Sequence, residues 1–483
     1  MEPTNIHGNY PDRRLNIIIF IILAVTIAAT KFNILDLPYH WDEMGAYIRP
    51  THWLADGSLV RAFPGFHPPH TFFGHPFALY LTLAAIYKIF GESIIVSHIF
   101  ILVISLLGLF YTYLLGKYIH NTAVGFVSAL LLLFSPIYFA QCGMVNGDTV
   151  ITSLGVMTVY YFLKKSHVQF LICSSLLVLS KESSAAIIVA LLIYRFFETR
   201  RNSATVKELY LCFTPLLVLT VFFLLQKITT GSFLPNQYFD SHSLFEFKMN
   251  GLSVMLLIKI KLKIAAKWLF LEQNRFIVLL LIIVHVLKNR RQAFKKEYVL
   301  FATMIIFFIA AYTLIFFLYR YLMPVLPYYF IMGAAAIVSL FSYRKLYYPV
   351  TLSVLICFML QMHGHDEWGG SNEKDMQYRD VVLTHKDAGA YIERNFSDRR
   401  VLTVWPFTNT LTEPYLGYVT KSISVTENPK DNFDILVYTQ QADKASADAL
   451  GKVISDQRLR LQKVFYRNGK LTEIYRKPGP AGN

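Results

Sequence analysis

The chain has 483 residues, 54% hydrophobic and 15% aromatic but only 16% charged, with a formal net charge of +15. A soluble globular chain is about a quarter charged, so this one lacks the charge to cover a water-facing surface, and its repeated apolar runs of about 20 residues match a bilayer core. Disorder, a collagen-like repeat and a secreted disulfide scaffold are excluded. The composition is that of a polytopic α-helical membrane protein.

In chain order, Pro11-Asp12-Arg13-Arg14 precedes an apolar stretch. That stretch is too long for a signal h-region and lacks a small-x-small cleavage site, so it reads as an uncleaved first span. The apolar runs lie at residues 15–35, 94–116, 122–141, 149–163, 168–180, 183–197, 209–226, 276–287, 298–318, 322–341 and 346–362. They give about eleven spans. Residues 76–90 are a further apolar piece, too short to cross comfortably, and read as a helix lying at the outer interface.

With the N-terminus cytoplasmic, the inside loops hold Arg13/Arg14, Lys117, Lys164/Lys165, Arg195/Arg200/Arg201/Lys207, Lys288/Arg290/Arg291/Lys295/Lys296 and Arg344/Lys345. The opposite short loops are much poorer in cations, as the positive-inside rule requires. If residues 76–90 crossed, every later loop would invert. The net positive charge therefore reads as loops facing anionic membrane lipids rather than as a nucleic-acid surface. Cys142, Cys173, Cys212 and Cys357 lie in or beside apolar runs and read as small buried hydrophobes.

Residues 252–271 carry Lys259, Lys261, Lys263 and Lys267 among apolar residues. That is too cationic for a free spanning helix and reads as an amphipathic helix on the outer interface, either snorkelling or touching anionic headgroups. The chain divides into a transmembrane domain over 1–362 and an extracytoplasmic domain over 363–483. The second pattern is a helix at 384–395, strands at 400–404 and 433–438, and a helix at 445–454. A hairpin over 461–467 and 471–476, turning at Asn468-Gly469, completes a small α/β domain.

On this topology the ionisable residues gather on one side. Asp42-Glu43 follows the first span, Asp148 the third, Lys181-Glu182 the fifth and Arg320 the ninth, while His75 opens the interfacial helix. Ionisable groups at membrane depth are costly and mark functional sites. A mixed set of carboxylates and cations suits a lipid-linked phosphosugar: Lys181 and Arg320 bind the phosphate, and a carboxylate takes the proton of an acceptor hydroxyl. No Walker A loop, dinucleotide fingerprint, H-E-x-x-H or zinc spacing is present, which fits a donor presented by lipid rather than a soluble nucleotide sugar.

His40-Trp41-Asp42-Glu43-Met44-Gly45-Ala46-Tyr47, Ala55-Asp56-Gly57-Ser58, and His75-Pro76 opening an apolar helix that ends Phe90-Gly91-Glu92-Ser93 resemble the first outer loop of C-type (GT-C) glycosyltransferases. The similar branch is the bacterial one of lipid A aminoarabinose transferase, protein O-mannosyltransferases and rhizobial lipopolysaccharide galacturonosyltransferases. Ser180-Lys181-Glu182 and Arg320-Tyr321-Leu322-Met323-Pro324-Val325-Leu326-Pro327 match two later elements of that branch.

The resemblance implies that Asp42 holds the place of the catalytic aspartate and Asp148 that of a second outer acidic residue. It makes Lys181 a cation touching the carrier phosphate, with Glu43, His75, Arg320 and Tyr321 as further substrate-binding candidates. His75-Pro76-Phe77 stands where relatives carry a doubled proline, and His67-Pro68-Pro69 lies just upstream; either fits that role. Gly45 also departs from some relatives.

Plainer readings stand beside each. Asp42 reads also as a helix N-cap, Asp148 after Asn146-Gly147 as a cap of the next span, Lys181 as a snorkelling lysine, Arg320 as an interfacial anchor and His75 as a surface histidine. His40 and His242 are weaker candidates. No cofactor is certain; a divalent metal would draw on Asp42, Glu43, Asp148 and His75.

The expectation is an inner-membrane glycosyltransferase that moves a sugar, with inversion, from a polyprenyl-phosphate carrier to lipid A, a surface polysaccharide or a protein. A transporter or flippase of lipid-linked glycans is the alternative, and a non-catalytic assembly factor a third. Transporters commonly carry inverted repeats and midplane sites, and neither is visible here.

Overall fold

A computed structural model describes residues 10–64, 66, 75–202, 206–231, 233, 254–289, 295–313, 318–364, 373–442 and 444–478. His67, Pro68, Pro69, His242, Arg290 and Arg291 lie outside the described residues.

The apolar runs fold as helices because continuous apolar sequence in a bilayer must satisfy its backbone within one segment. In order these are α1 (Tyr10–Lys31), α2 (Arg49–Asp56), α3 (Ala78–Phe90), α4 (Ile94–Ile119), α5 (Thr122–Phe134), α6 (Pro136–Gln141), α7 (Gly147–Leu163) and α8 (His167–Ser180). There follow α9 (Ala185–Asn202), α10 (Val206–Thr230), α11 (Val254–Ala266), α12 (Arg275–Lys288), α13 (Lys296–Thr313), α14 (Leu326–Leu340) and α15 (Tyr347–Met359). Among the described residues six helical stretches are long and apolar enough to cross a membrane, and α3, α5 and α8 are shorter apolar helices. The chain is a polytopic α-helical membrane protein.

Two expected elements differ in detail. The run at 122–141 is two helices, because Ser135 is extended (φ −67°, ψ 129°) and Pro136 restarts the chain at the first turn of α6, where its missing N–H costs nothing. The lysine-rich segment is helical over Val254–Ala266, but it continues through Lys267–Leu271 into α12. Left-handed Gln273 and Asn274 (φ 53° and 62°) turn the chain between them. At 13 residues, α3 is about 20 Å long, short of the roughly 30 Å core, as its length in sequence implies.

Helices α4 and α5 approach closely. A Cβ on Gly125 would lie 2.3 Å from the Tyr113 carbonyl oxygen, and one on Gly116 2.9 Å from the Gly125 Cα. Small residues at such crossings bring backbones into contact where lipid offers no hydrophobic driving force.

The C-terminal unit comprises α16 (Gln377–Phe396), β1 (Val401–Leu402), α17 (Phe407–Thr412), β2 (Val425–Thr426), β3 (Ile435–Thr439), α18 (Lys444–Asp456), β4 (Arg460–Arg467) and β5 (Lys470–Arg476). Its sheet runs β2-β1-β3-β5-β4, with β1 parallel to both neighbours and β5 antiparallel to β3 and β4. Asn468 and Gly469 both take positive φ (45° and 81°), as a two-residue type I′ hairpin turn requires. Ala388 and Ile392 of α16 pack with Val401, Ile435, Val437 and Ile474 on one face, while Leu450 of α18 packs with Leu402 and Leu436 on the other.

This unit docks on the segment after α1. The Tyr418 hydroxyl donates to the Tyr39 carbonyl at 2.8 Å, and the Tyr39 amide donates to the Leu416 carbonyl at 3.3 Å. Trp41 meets Trp405 edge-on with centroids 6.1 Å apart, and Arg49 pairs with Glu413.

Candidate active site

The chain leaves α1 and turns at Trp41 (φ 47°) into a π-helical turn, Glu43–Ile48. Asp42 precedes that turn but makes no capping hydrogen bond; its carboxylate accepts from Nη2 of Arg320. Its side chain remains 34% exposed.

Asp148 lies in the first turn of α7, whose N-cap is Asn146: Asn146 Oδ1 accepts from the Thr149 amide at 2.8 Å. With capping supplied by Asn146, the fully buried Asp148 turns to two cations. Its Oδ1 accepts from Lys181 Nζ at 2.8 Å and its Oδ2 from Arg320 Nε at 3.1 Å.

Lys181 follows α8 in extended conformation (φ −160°) and is 3% exposed, so it does not snorkel. Its Nζ lies 4.2 Å from the centroid of the Tyr321 ring, within cation–π range. Tyr321 itself stacks on Tyr312 at 4.6 Å. Arg320 sits in a 3-10 turn, Tyr319–Val325, ahead of α14. It too is 3% exposed, a buried group rather than an interfacial anchor. Its Nη1 donates to a further carboxylate, Glu373, which comes from the chain just before α16.

Two cations and three carboxylates thus form one connected cluster from five separate parts of the chain. Buried charges persist only when paired and hydrogen-bonded in this way.

His75 and Glu43 take other places. His75 Nδ1 is 2.9 Å from Glu182 Oε2, and its ring stacks on Tyr47 with centroids 6.2 Å apart and planes 13° off parallel. Burial opposes ionisation of Glu182, but the adjacent His75, its hydrogen bond and Lys181 together hold its pKa below the usual value. Tyr47 links this pair to the cluster: a Cβ on Gly147 would lie 2.8 Å from its hydroxyl and 3.5 Å from Lys181 Cδ. Burial, then Asp148, push the Tyr47 hydroxyl well above its ordinary pKa, so it stays protonated.

Glu43 is buried and accepts from the amides of His40 (2.9 Å) and Val145 (2.6 Å). It fastens the loop carrying Asp42 to the loop before Asp148.

The four metal candidates are therefore not one ligand set. Asp42 and Asp148 engage Arg320, His75 engages Glu182, and Glu43 holds two main-chain amides. Among the described residues the one set of three such donors lying within 4.8 Å of one another is His52, Asp56 and Glu92. A groove of about 550 Å³ beside them, lined in part by Asp36, Tyr39, Glu92 and Tyr415, follows the seam with the C-terminal unit.

Sequence reasoning missed Glu373 altogether. It lies in a polar stretch with Asp366, Glu367 and Asp375 nearby, where an acidic residue carries no signal. Glu182 was visible as an ionisable residue beside Lys181, but its pairing with His75 was not.

Residues 74–225 match the family model described as dolichyl-phosphate-mannose-protein mannosyltransferase. No curated protein matches the sequence at a significant level. Among solved structures, apo ArnT from Cupriavidus metallidurans superposes with a TM-score of 0.61 at 12% identity, covering 96% of this chain and 98% of that one. The same protein bound to undecaprenyl phosphate gives 0.57 at 13% identity, with the same coverages of 96% and 98%. The oligosaccharyltransferase AglB from Archaeoglobus fulgidus, in complex with an inhibitory peptide and a dolichol-phosphate, gives 0.51 at 12% identity, covering 98% and 75%. At such identities the likeness is one of architecture, and the chain has the GT-C fold.

Proposed function

We propose that the protein is a membrane glycosyltransferase that takes a sugar from a polyprenyl-phosphate carrier and transfers it to an acceptor hydroxyl or phosphate. The observation that carries this reading is the cluster in which Lys181 and Arg320 are held side by side on Asp148 while a partly exposed Asp42 pairs with the same arginine. Two fixed, desolvated cations are suited to the charge that develops on a departing phosphate. Of the three carboxylates only Asp42 keeps a third of its side chain exposed, against 0% for Asp148 and 7% for Glu373. It is therefore the one able to reach a substrate hydroxyl.

In the proposed step the acceptor oxygen forms a bond to the anomeric carbon as its proton passes to the Asp42 carboxylate. The bond from that carbon to the phosphate oxygen breaks on the opposite face, and its electron pair leaves with the carrier phosphate, inverting the centre. Lys181 and Arg320 meet the departing charge. A polyprenyl-phosphate donor is supported by the similar architectures that were solved with undecaprenyl phosphate and a dolichol-phosphate.

The proposed topology has about eleven spans in an inner membrane, with the N-terminus cytoplasmic and the site extracytoplasmic. The cations at the helix ends far from Arg320 support it: Lys117 ends α4, Lys164 follows α7, Lys288 ends α12, and Lys295 meets His120. Lipid A, a surface polysaccharide or a protein is the proposed acceptor class. Replacing Asp42 by Asn in the purified protein is expected to abolish transfer from a polyprenyl-phosphate sugar while leaving the thermal midpoint in detergent unchanged. Wild-type turnover by that variant would refute the role.

A further inference from the structure

The charge balance of the cluster has a consequence for donor binding. Lys181 and Arg320 already face Asp42, Asp148 and Glu373. A phosphate brings at least one further negative charge into a buried site, where like charges repel far more strongly than in water. One of the three carboxylates has to give way.

Asp148 is the poorest candidate. It is fully buried and each of its oxygens accepts from a different cation, at 2.8 and 3.1 Å. Asp42 is the group proposed to face the acceptor. Glu373, like Asp42, engages a single terminal nitrogen of Arg320, but it comes from the segment between α15 and α16, outside the helices of the bundle. Its main chain is held separately, by Gln141 Nε2 donating to the Glu373 carbonyl at 2.6 Å. The side chain can thus swing away while the backbone stays tied. A carboxylate and a phosphate oxygen present the same acceptor to a guanidinium N–H.

We propose that Glu373 is the resident anion of the donor-phosphate subsite: it holds Arg320 Nη1 in the donor-free protein and yields that nitrogen to the carrier phosphate. Glu373 is on this account a positioning residue that acts through Arg320 and sets donor affinity without touching the reacting atoms. The inference rests on the glycosyltransferase reading, in which Arg320 receives the phosphate. It also connects donor binding to the C-terminal unit, because Glu373 is three residues from Met376, whose amide donates to the Met362 carbonyl at 2.9 Å just before α16 begins.

The test is equilibrium binding of undecaprenyl phosphate, without acceptor, to the purified full-length chain in lipid nanodiscs. Glu373→Gln is expected to bind about tenfold tighter than wild type, the size of one charge-assisted hydrogen bond released from competition. Glu373→Asp, which restores the competing charge, should return toward wild-type affinity. A merely structural contact would give the opposite sign, since damage to the site weakens binding.

Equal or weaker binding by Glu373→Gln, at a wild-type thermal midpoint, overturns the proposal. Should that variant not fold, a density map of the wild-type protein with undecaprenyl phosphate decides: Glu373 released from Arg320 supports the inference, and Glu373 still paired beside a bound phosphate refutes it. A wild-type protein that does not bind undecaprenyl phosphate at all refutes the underlying reading instead, which separates the two failures.

Discussion

Arg320 Nε donates to Asp148 Oδ2 at 3.1 Å, joining side chains 172 positions apart in the chain. The other oxygen of the same carboxylate accepts from Lys181 Nζ at 2.8 Å. One buried carboxylate therefore fixes the spacing of two cations, and neither cation has to reorganise when negative charge arrives between them. Preorganisation of this kind, in a site closed to water, is where electrostatic catalysis gains most.

Replacing Asp148 by Asn keeps the shape and removes the charge. Both cations then lose a buried counter-ion, and breaking a buried pair from one side costs about 3–5 kcal/mol. The variant is expected to melt earlier in detergent and to lose transfer activity by at least about a hundredfold. Differential scanning fluorimetry and a transfer assay read the two effects separately.

Replacing Lys181 by Gln leaves Asp148 with Arg320 as its partner, so the structural penalty is smaller than for Asp148→Asn. The lost cation also no longer lies over the Tyr321 ring at 4.2 Å. The donor KM is expected to rise by about tenfold or more, one charge-assisted hydrogen bond to phosphate being worth about 1.5–3 kcal/mol. Titration of the donor at saturating acceptor measures it.

Docking of the C-terminal unit rests more on buried contacts than on surface charge. Arg49, 52% exposed, pairs with Glu413, and such a pair contributes at most about 1 kcal/mol. The buried Tyr418 hydroxyl donates to the Tyr39 carbonyl at 2.8 Å, three residues before Asp42, and its loss leaves a buried acceptor unmet at a cost of about 1–3 kcal/mol. Tyr418→Phe is expected to lower the thermal midpoint more than Arg49→Ala, and to lower transfer as well. The reverse order would show that the surface pair governs docking.

Burial in the C-terminal unit, with His40 nearby, pushes the His385 imidazole from its ordinary 6.5 down to about 3. Its Nε2 meets Thr439 Oγ1 at 2.9 Å, and the ring packs on Phe407. The folded form thus binds the proton more weakly than the unfolded form. His385 therefore takes nothing from stability above about pH 6.5, and between there and about pH 3 stability falls by up to about 1.4 kcal/mol per pH unit. Thermal midpoints measured across that range should fall more steeply for wild type than for His385→Gln. Parallel slopes would remove His385 as the cause.

The elements that sequence made legible are those governed by strong local rules. Asp42, Asp148, Lys181 and Arg320 stood out because ionisable groups at the ends of apolar runs are expensive there, and the structure brings all four together. The C-terminal helices and the Asn468-Gly469 hairpin followed from periodicity and turn chemistry, although the first of those helices begins at Gln377, seven residues before its expected start. The elements that were not legible depend on long-range contact. β2 and α17 have two and six residues, too few for a period to register. The break at Ser135 and Pro136 is marked locally by the Ser-Pro pair, but hydropathy averaged over the run hides it. Glu373 joins the cluster only because the chain after α15 returns to Arg320, and no local pattern reports that return.

In the proposed donor complex one phosphate meets Lys181 and Arg320 while Asp42 faces the transferred sugar. The decisive measurement is a density map of the protein with a bound polyprenyl-phosphate sugar. Phosphate oxygens are expected within hydrogen-bond reach of both Lys181 Nζ and the Arg320 guanidinium, with the Asp42 carboxylate on the side of the anomeric carbon away from the phosphate. A phosphate seated elsewhere, with Arg320 and Lys181 still closed on their carboxylates, would contradict it.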